Sequence, residues 1–514
     1  MLTGPVCYLR LVGLAINRQG WRWTRGQDAV SITAVAAILF ALAARLFAQP
    51  GAHLWIDETF TGAIATQTTL RQVIHLAHLD APTSTLYYVL MHVWTLLFGA
   101  SDAALRAPSV ICGLIAPLMI VVAPVPQLRR PDRLTWAALV ALSPVLIGFS
   151  LDARSYALAV ALATGQTIAY AWVMARPTAR RAVIWIVIAV CAIEAHYDAA
   201  YLALAQGLLF LGVWRRDAIR LWPAALLVLP VIAELAWKWS LLSKFEAPGT
   251  AWYALLSPFG FLAAFVYPVG GMGVSLVIWL IDLPILFIAA RLLRRGPSAP
   301  LPLAPASAAV AAVLGVAVIA VVGVIRPSFS WRYECVFIPG LALAPVLVLR
   351  TLARDKAPLF HMSLLIVAAA ACAVSIRFGA TSVGISTDPD NIEQASESLM
   401  GSTSKRILFA WDSPTARVMN PELLKSVGQF FFSRAGRKVS VIPVPLDAGE
   451  DPNVTLFPRA AQDRSGVIFL FDTTIAGTVA RRHPLGSDPR LNCRRFLARI
   501  GDDPIGSVAC APLK

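Results

Sequence analysis

Long apolar runs, broken at short intervals by one to three basic residues, set the pattern of this chain from residue 29 to residue 377. A helix crossing a bilayer needs about 20 apolar residues, fewer where Trp, Tyr or Arg anchors its ends. The pattern predicts eleven spans, near 29–48, 105–125, 134–150, 155–174, 182–196, 198–214, 220–236, 272–291, 306–325, 334–350 and 359–377.

Two apolar stretches do not fit as spans. "LYYVLMHVWTLLF" (Leu86 to Phe98) is too short, and counting it would invert every later loop. It reads as a helix lying on the membrane surface, apolar face down. "WYALLSPFGFLAAFVYPVGG" (Trp252 to Gly271), broken by Pro and Gly, reads as a second interfacial or re-entrant piece.

Charge then orients the spans. Arg10, Arg18, Arg22 and Arg25 precede the first. Alternate connectors carry Arg129, Arg130 and Arg133; Arg176, Arg180 and Arg181; Arg215, Arg216 and Arg220; Arg291, Arg294 and Arg295; Arg350, Arg354 and Lys356. The opposite loops have few basic residues, among them Arg71, Lys238, Lys244 and Arg326. Short basic loops stay cytoplasmic, so residues 1–28 are expected inside and the tail after residue 378 outside. No small-residue cleavage site follows the basic start, so no cleavable signal peptide is expected.

Composition agrees with a polytopic membrane protein. Of 514 residues 58% are hydrophobic and 14% charged, and the mean hydropathy is +0.68. A soluble chain could not cover that much apolar surface. The net charge of +15 is dispersed in the connectors rather than gathered in a stripe, which argues against nucleic acid as a partner. Seven cysteines show no CxxC pair and no ligand spacing for zinc. Cys493 and Cys510 lie in the polar tail and could pair if that tail is outside the cytoplasm.

From residue 378 to 514 the pattern changes to that of a small α/β domain. The runs Arg406 to Asp412, Val439 to Leu446 and Val467 to Thr474 read as strands, with an amphipathic stretch near 416–435 between them. Three units follow: an N-terminal segment 1–28, a transmembrane domain 29–377 with outer loops 49–104 and 237–271, and the tail domain.

Ionisable residues near a bilayer are costly and mark functional candidates. With this topology they fall on one rim. Asp57, Glu58 and Asp80 come from the first outer loop, and "FSLDARSYAL" supplies Asp152, Arg154 and Tyr156. "IEAHYDAAY" supplies Glu194, His196 and Asp198, and "SFSWRYECVF" supplies Arg332, Tyr333 and Glu334. Each has a plainer reading. Asp152 and Arg154 could pair across a helix start, a lone His196 is more often packed than reactive, and Tyr156 and Tyr333 suit an aromatic belt. Lys238 and Lys244 read as solvated or headgroup contacts, and Asp57 and Glu58 as loop contacts. The convergence of four segments carries more weight than any member.

"LWIDETFTGAIA", then Asp80 ahead of "PTSTLYYVLMHVWTLLFGASDAALRAPSVICG", then "SPVLIGFSLDARSYAL" and a late "RYECVFIPGLALA" resemble the GT-C glycosyltransferases. Within that superfamily the stretches resemble the protein mannosyltransferase and aminoarabinose (lipid A) transferase-like enzymes. The resemblance covers about residues 30–350. It implies an active site at the outer membrane face, a polyprenyl-phosphate-linked sugar donor and inverting transfer to a hydroxyl on a glycolipid, cell-wall glycan or protein. The first acid of the D-E pair, Asp57, maps to the family's catalytic base. One departure concerns Asp80: the family's consecutive prolines before L-Y-Y are replaced by "DAPTSTLYY", with Pro82 alone.

The chemistry suits the rim. An in-line displacement at an anomeric carbon needs a base for the acceptor hydroxyl and a cation for the leaving phosphate. Arg332 is the first choice for that cation, since a guanidinium matches phosphate oxygens bidentately, and Arg154 is the second, or else it holds Asp152. Glu58 would orient Asp57 or bind sugar hydroxyls, and His196 would contact phosphate or sugar. No cofactor is required, although the acidic outer loop could take a divalent cation. A bacterial-type plasma membrane is the expected location. A transporter or flippase of lipid-linked sugars is the main alternative, kept open by the mid-span acids Glu234 and Asp282. A third is an inactive sensor with a ligand-binding tail.

Overall fold

The computed structural model describes residues 25–47, 53–80, 83–245, 255–265, 301–326, 328–352, 357–378, 391–414, 416–447, 450–471, 486, 488–500 and 503–513. The expected span at 272–291, with Asp282, and residues 1–24 lie outside the described residues.

Among the described residues the apolar runs form helices. Seven are long and apolar enough to cross a membrane. They begin with α1 (Arg25–Phe47), and the chain is an integral membrane protein. Three short helices follow: α2 (Ile56–Ala65), α3 (Leu70–Leu79) and α4 (Thr85–Phe98). Then come α5 (Asp102–Val122), α6 (Arg130–Leu142), α7 (Pro144–Phe149), α8 (Tyr156–Ala175), α9 (Ala179–Ala195), α10 (Ala199–Trp214) and α11 (Leu229–Phe245). α12 (Leu303–Ile325), α13 (Ile338–Leu352) and α14 (Ala357–Phe378) complete the bundle. The expected span 134–150 is broken between α6 and α7. Pro144 has no N–H to continue α6, while the Ser143 hydroxyl accepts from Leu146 N and starts α7.

α8 lies at the centre of the bundle, with 78% of its membrane-length window buried. The segment Trp222–Lys244 is peripheral, at 11%. Several connector arginines serve the ends of helices. Arg181 donates to Trp172 O in the last turn of α8, at 2.9 Å. Arg133 donates to Ala123 O at the end of α5, and Arg350 to Gln127 O at 2.6 Å. Carbonyls left over at helix C-termini attract such cations. Because α8 starts at Tyr156 and ends near Arg181, Tyr156 and the connector with Arg176 and Arg181 sit at opposite ends of that helix.

The first outer loop owes its shape to caps. Thr69 and Gln72 form a capping box at the start of α3, and Gly99, at φ +78°, ends α4 in a conformation that glycine adopts without strain. α4 buries Tyr87, Tyr88, Met91 and His92 on one side and exposes Leu90, Val93, Leu96, Leu97 and Phe98 on the other. That is the two-faced character expected of a surface-lying helix.

The tail holds a five-stranded sheet of order β2-β1-β3-β5-β4. β1 (Arg406–Asp412), β2 (Ser440–Pro443) and β3 (Gly466–Phe471) run parallel; β4 (Leu491–Ile500) and β5 (Asp503–Pro512) form an antiparallel hairpin beside β3. β3 is buried along its whole length, the pattern of a strand covered on both faces. α15 (Ile392–Ser398), α16 (Pro421–Arg434) and α17 (Leu456–Asp463) accompany the sheet. Cys493 and Cys510 are disulfide-bonded across the hairpin.

One apolar core joins this sheet to the outer loop. Leu54, Ile56, Phe60 and Ile64 of the loop pack in the same cluster as Ile392, Phe409, Val427, Phe430 and Ile468 of the tail.

Candidate active site

Asp57 is the second residue of α2, where the helix N-terminus favours a negative charge. Its Oδ2 lies 3.1 Å from Nη1 of Arg332, and both side chains keep about a quarter of their surface exposed, at 29% and 26%. Arg332 belongs to the 3-10 turn Trp331–Phe337 that opens the segment leading into α13. The Trp55 ring lies beneath its guanidinium, 5.1 Å from centroid to carbon. A cation over an indole face is held electrostatically, so Trp55 orients Arg332 towards Asp57. The indole N–H of Trp55 donates to Asp152 Oδ1 at 3.3 Å.

Glu58 points the opposite way. It is 1% exposed and forms a fork with Arg106, whose Nε donates to Oε1 at 2.7 Å and Nη2 to Oε2. Ala153 N donates to Oε1 at 2.8 Å and Trp55 N to Oε2 at 3.4 Å. Two oxygens with four donors have little left for a sugar hydroxyl. Glu58 therefore ties α2 to α5 and to the segment before α8, and holds Asp57 in place from behind.

Asp152 is 5% exposed. Burial, with the neighbouring Glu58 charge second, pushes its carboxyl well above the ordinary carboxylate range. Arg154 does not direct its hydrogen bonds to Asp152. Its Nη1 donates to the Asp57 carbonyl at 3.1 Å and to Tyr88 Oη at 3.5 Å, and its Nη2 to Thr83 Oγ1 at 3.1 Å. It is thus a strut from the segment before α8 to the start of α2 and the loop before α4. Asp80, 5% exposed, ends α3 and accepts from the buried Tyr88 hydroxyl. Burial, then the Asp80 charge, raises that phenol far above its usual range and keeps it a donor.

Lys238 reads from the sequence as solvated, and the structure corrects this. It is 0% exposed and donates to Ala77 O at 2.9 Å and Thr83 O at 2.7 Å, the carbonyls on either side of Asp80. Its charge is balanced by Glu234, 3.6 Å away and one turn earlier on α11. Glu234 also accepts from Thr85 N, Thr85 Oγ1 and Tyr197 Oη. Both residues pin the outer loop to α11.

Phe149, Tyr156, His196 and Tyr333 stand in a row, with successive ring centroids 4.8, 5.6 and 5.1 Å apart. Tyr156 is buried, and His196 caps α9 with Nδ1 3.2 Å from Asp198 Oδ2, an ion-pair approach without hydrogen-bond alignment. This row continues from Arg332 along the rim as an aromatic wall.

Among the described residues, His53, Asp102 and Glu393 bring ligand atoms within 4.8 Å of one another. Arg434 already bridges Asp102 and Glu393, so a guanidinium holds the position between those carboxylates.

Comparison by sequence gives no match to a protein family or to a curated protein. Comparison of folds does. ArnT from Cupriavidus metallidurans in the apo state aligns with 94% of this chain and 98% of its own, at 14% identity and a TM-score of 0.52. The fold is that of ArnT. The same ArnT bound to undecaprenyl phosphate aligns over 93% of this chain and 97% of its own, at 12% identity and a TM-score of 0.49.

In this fold the expected residues divide. Asp57, Arg332, Tyr156, His196 and Tyr333 lie along the arginine and its aromatic row, with Asp152 bonded to Trp55 beside them. Glu58, Asp80 and Arg154 form a buried support. Glu194 is hydrogen-bonded to Glu234, and Glu334 is fully buried. Sequence reading missed Trp55, Thr83, Tyr88 and Arg106 as site components. Arg106 carried a visible signal: it is an arginine in the first turn and a half of an otherwise apolar helix, inside "LRAPS".

Proposed function

We propose that this protein is an inverting glycosyltransferase that moves a sugar from a polyprenyl-phosphate donor to a hydroxyl acceptor at the outer face of a membrane. The observation that carries the reading is the Asp57–Arg332 pair, a partly exposed carboxylate and a guanidinium 3.1 Å apart beside an aromatic wall. Phosphate competes with Asp57 for the Arg332 fork, since charge-assisted bonds to phosphate are strong and bidentate. Donor binding then frees the carboxylate to accept the acceptor proton. The acceptor oxygen attacks the anomeric carbon as the bond to phosphate oxygen breaks. Arg332 stabilises the charge left on the polyprenyl phosphate, so that no general acid is needed. Tyr156, His196 and Tyr333 flank the sugar or its phosphate, and the apolar helices beyond Tyr333 receive the polyprenyl chain.

In this reading eleven spans place the arginine connectors in the cytoplasm of a bacterial-type cell and the α/β tail outside. The Cys493–Cys510 bond supports an oxidising location for that tail. The flippase alternative leaned on two mid-span acids, Glu234 and Asp282, of which Asp282 lies outside the described residues. Glu234 is engaged by Thr85, Tyr197 and Lys238, which favours the enzyme.

Reconstitution in vesicles with polyprenyl-phosphate sugars tests the proposal. Sugar transfer to a glycolipid, glycan or protein acceptor supports it. Movement of intact donor between leaflets without transfer would establish the alternative.

A further inference from the structure

α16 of the tail closes against α2 at Gly62, five residues after Asp57. A Cβ at position 62 would meet the Phe430 ring, 2.7 Å from Cε2 and 2.9 Å from Cε1. Such separations lie well inside van der Waals contact, so the ring rests directly on the backbone of α2. Phe430 has little freedom to withdraw. It is 4% exposed, meets the Phe431 ring edge-on at 5.0 Å, and lies 5.5 Å from the guanidinium of Arg434.

The same Arg434 grips the other end of α2. It bridges Asp102, at the start of α5, to Glu393 of α15. Glu393 Oε2 in turn accepts from Leu54 N at 3.0 Å, three residues before Asp57. The tail thus holds the chain on both sides of Asp57, at Leu54 and at Gly62. From the opposite side, Glu58 is bound by Arg106, and Ala65 O accepts from His92 and Thr95. Loop and membrane helices hold one face of α2, and the α/β unit holds the other.

We propose that the α/β unit is a clamp that sets the position of Asp57, with Phe430 and Arg434 as its positioning residues. The inference rests on the proposed transfer reaction and gives the tail a part in it. A general base works only within a narrow range of distance and angle, and a displacement of about 1 Å can cost about a hundredfold in rate. Neither positioning residue touches substrate. They act through α2, so they govern kcat rather than donor affinity.

The full-length protein in vesicles tests this with Gly62→Ala, Phe430→Leu and the two combined. Gly62→Ala pushes α2 away from Phe430 and is expected to lower kcat about tenfold or more, with the donor KM within about twofold of the parent. Adding Phe430→Leu makes room for the new methyl group and is expected to restore much of that loss. Gly62→Ala at parental kcat, or a double variant no better than Gly62→Ala, would overturn the clamp. Hydrogen exchange over residues 56–65 provides a readout independent of catalysis. Phe430→Leu should speed exchange there, and unchanged exchange would also overturn the proposal. A parent that transfers no sugar, yet shows the exchange effect, would refute the reaction and leave the clamp standing.

Discussion

Arg332 and Asp57 are 275 positions apart in the chain and meet at 3.1 Å. Each neutralises the other at a rim where an isolated charge would be expensive. In the proposed reaction Asp57 takes the proton of the acceptor hydroxyl. Asp57→Asn keeps the shape but cannot accept a proton, so transfer should fall by about 10²–10⁴, the usual contribution of a general base. Product formation from a polyprenyl-phosphate sugar by reconstituted protein checks it, and parental turnover would remove Asp57 from the role.

Arg332 is expected to act on both donor binding and turnover. Arg332→Lys retains the charge and loses the fork, so it should be far from silent. We expect at least a tenfold loss in kcat/KM for the donor, about 1.4 kcal/mol, and a larger loss for Arg332→Gln. Direct binding of polyprenyl phosphate to each variant separates the affinity component from the rate component.

The Glu58–Arg106 fork makes a different prediction, because it is buried and hydrogen-bonded on all sides. Removing one partner strands the other. Glu58→Ala should cost about 3–5 kcal/mol of stability, whereas an apolar replacement of both residues, Glu58→Leu with Arg106→Met, should cost less than the two single changes summed. Thermal unfolding of the four proteins in detergent measures the coupling. A purely additive outcome would show that the two side chains do not act as a pair.

Asp152 introduces a dependence on pH. Burial, reinforced by the Glu58 charge, raises its carboxyl in the folded protein above the value it has when unfolded. A raised carboxyl contributes stability below the unfolded value, and that contribution is lost as pH rises through the folded one. Between about pH 5 and about pH 8 the parent should therefore lose more thermal stability than Asp152→Asn. Parallel melting curves across that range decide the matter, and equal slopes would contradict the assignment.

Much of this was legible in the sequence because the signals were local. The run "RILFAWD" is β-branched and aromatic between polar residues, and β1 has the bounds expected of it. The W-x-D-E stretch marked Asp57. Non-local facts were less visible. "LNCRRFLARI" carries three arginines and gives little strand signal, so the β4–β5 hairpin went unrecognised. Lys238 looked like a solvated lysine because its partners are backbone carbonyls of another loop, which no side-chain pattern announces. Glu58 read as a residue that orients Asp57 or binds sugar hydroxyls; successive helix residues point about 100° apart, and that rotation buries Glu58 while Asp57 stays partly exposed.

The core shared by the outer loop and the tail also dictates an order of assembly. Leu54, Phe60 and Ile64 leave the ribosome early, but the residues that complete their packing, Phe409, Val427 and Phe430, are made only after the last bundle helix. Until then α2 lacks its neighbours from the tail. A chain stalled before residue 409 therefore carries Asp57 and Arg332 without the tail packing around α2, so the two halves of that core are joined only once the tail is made.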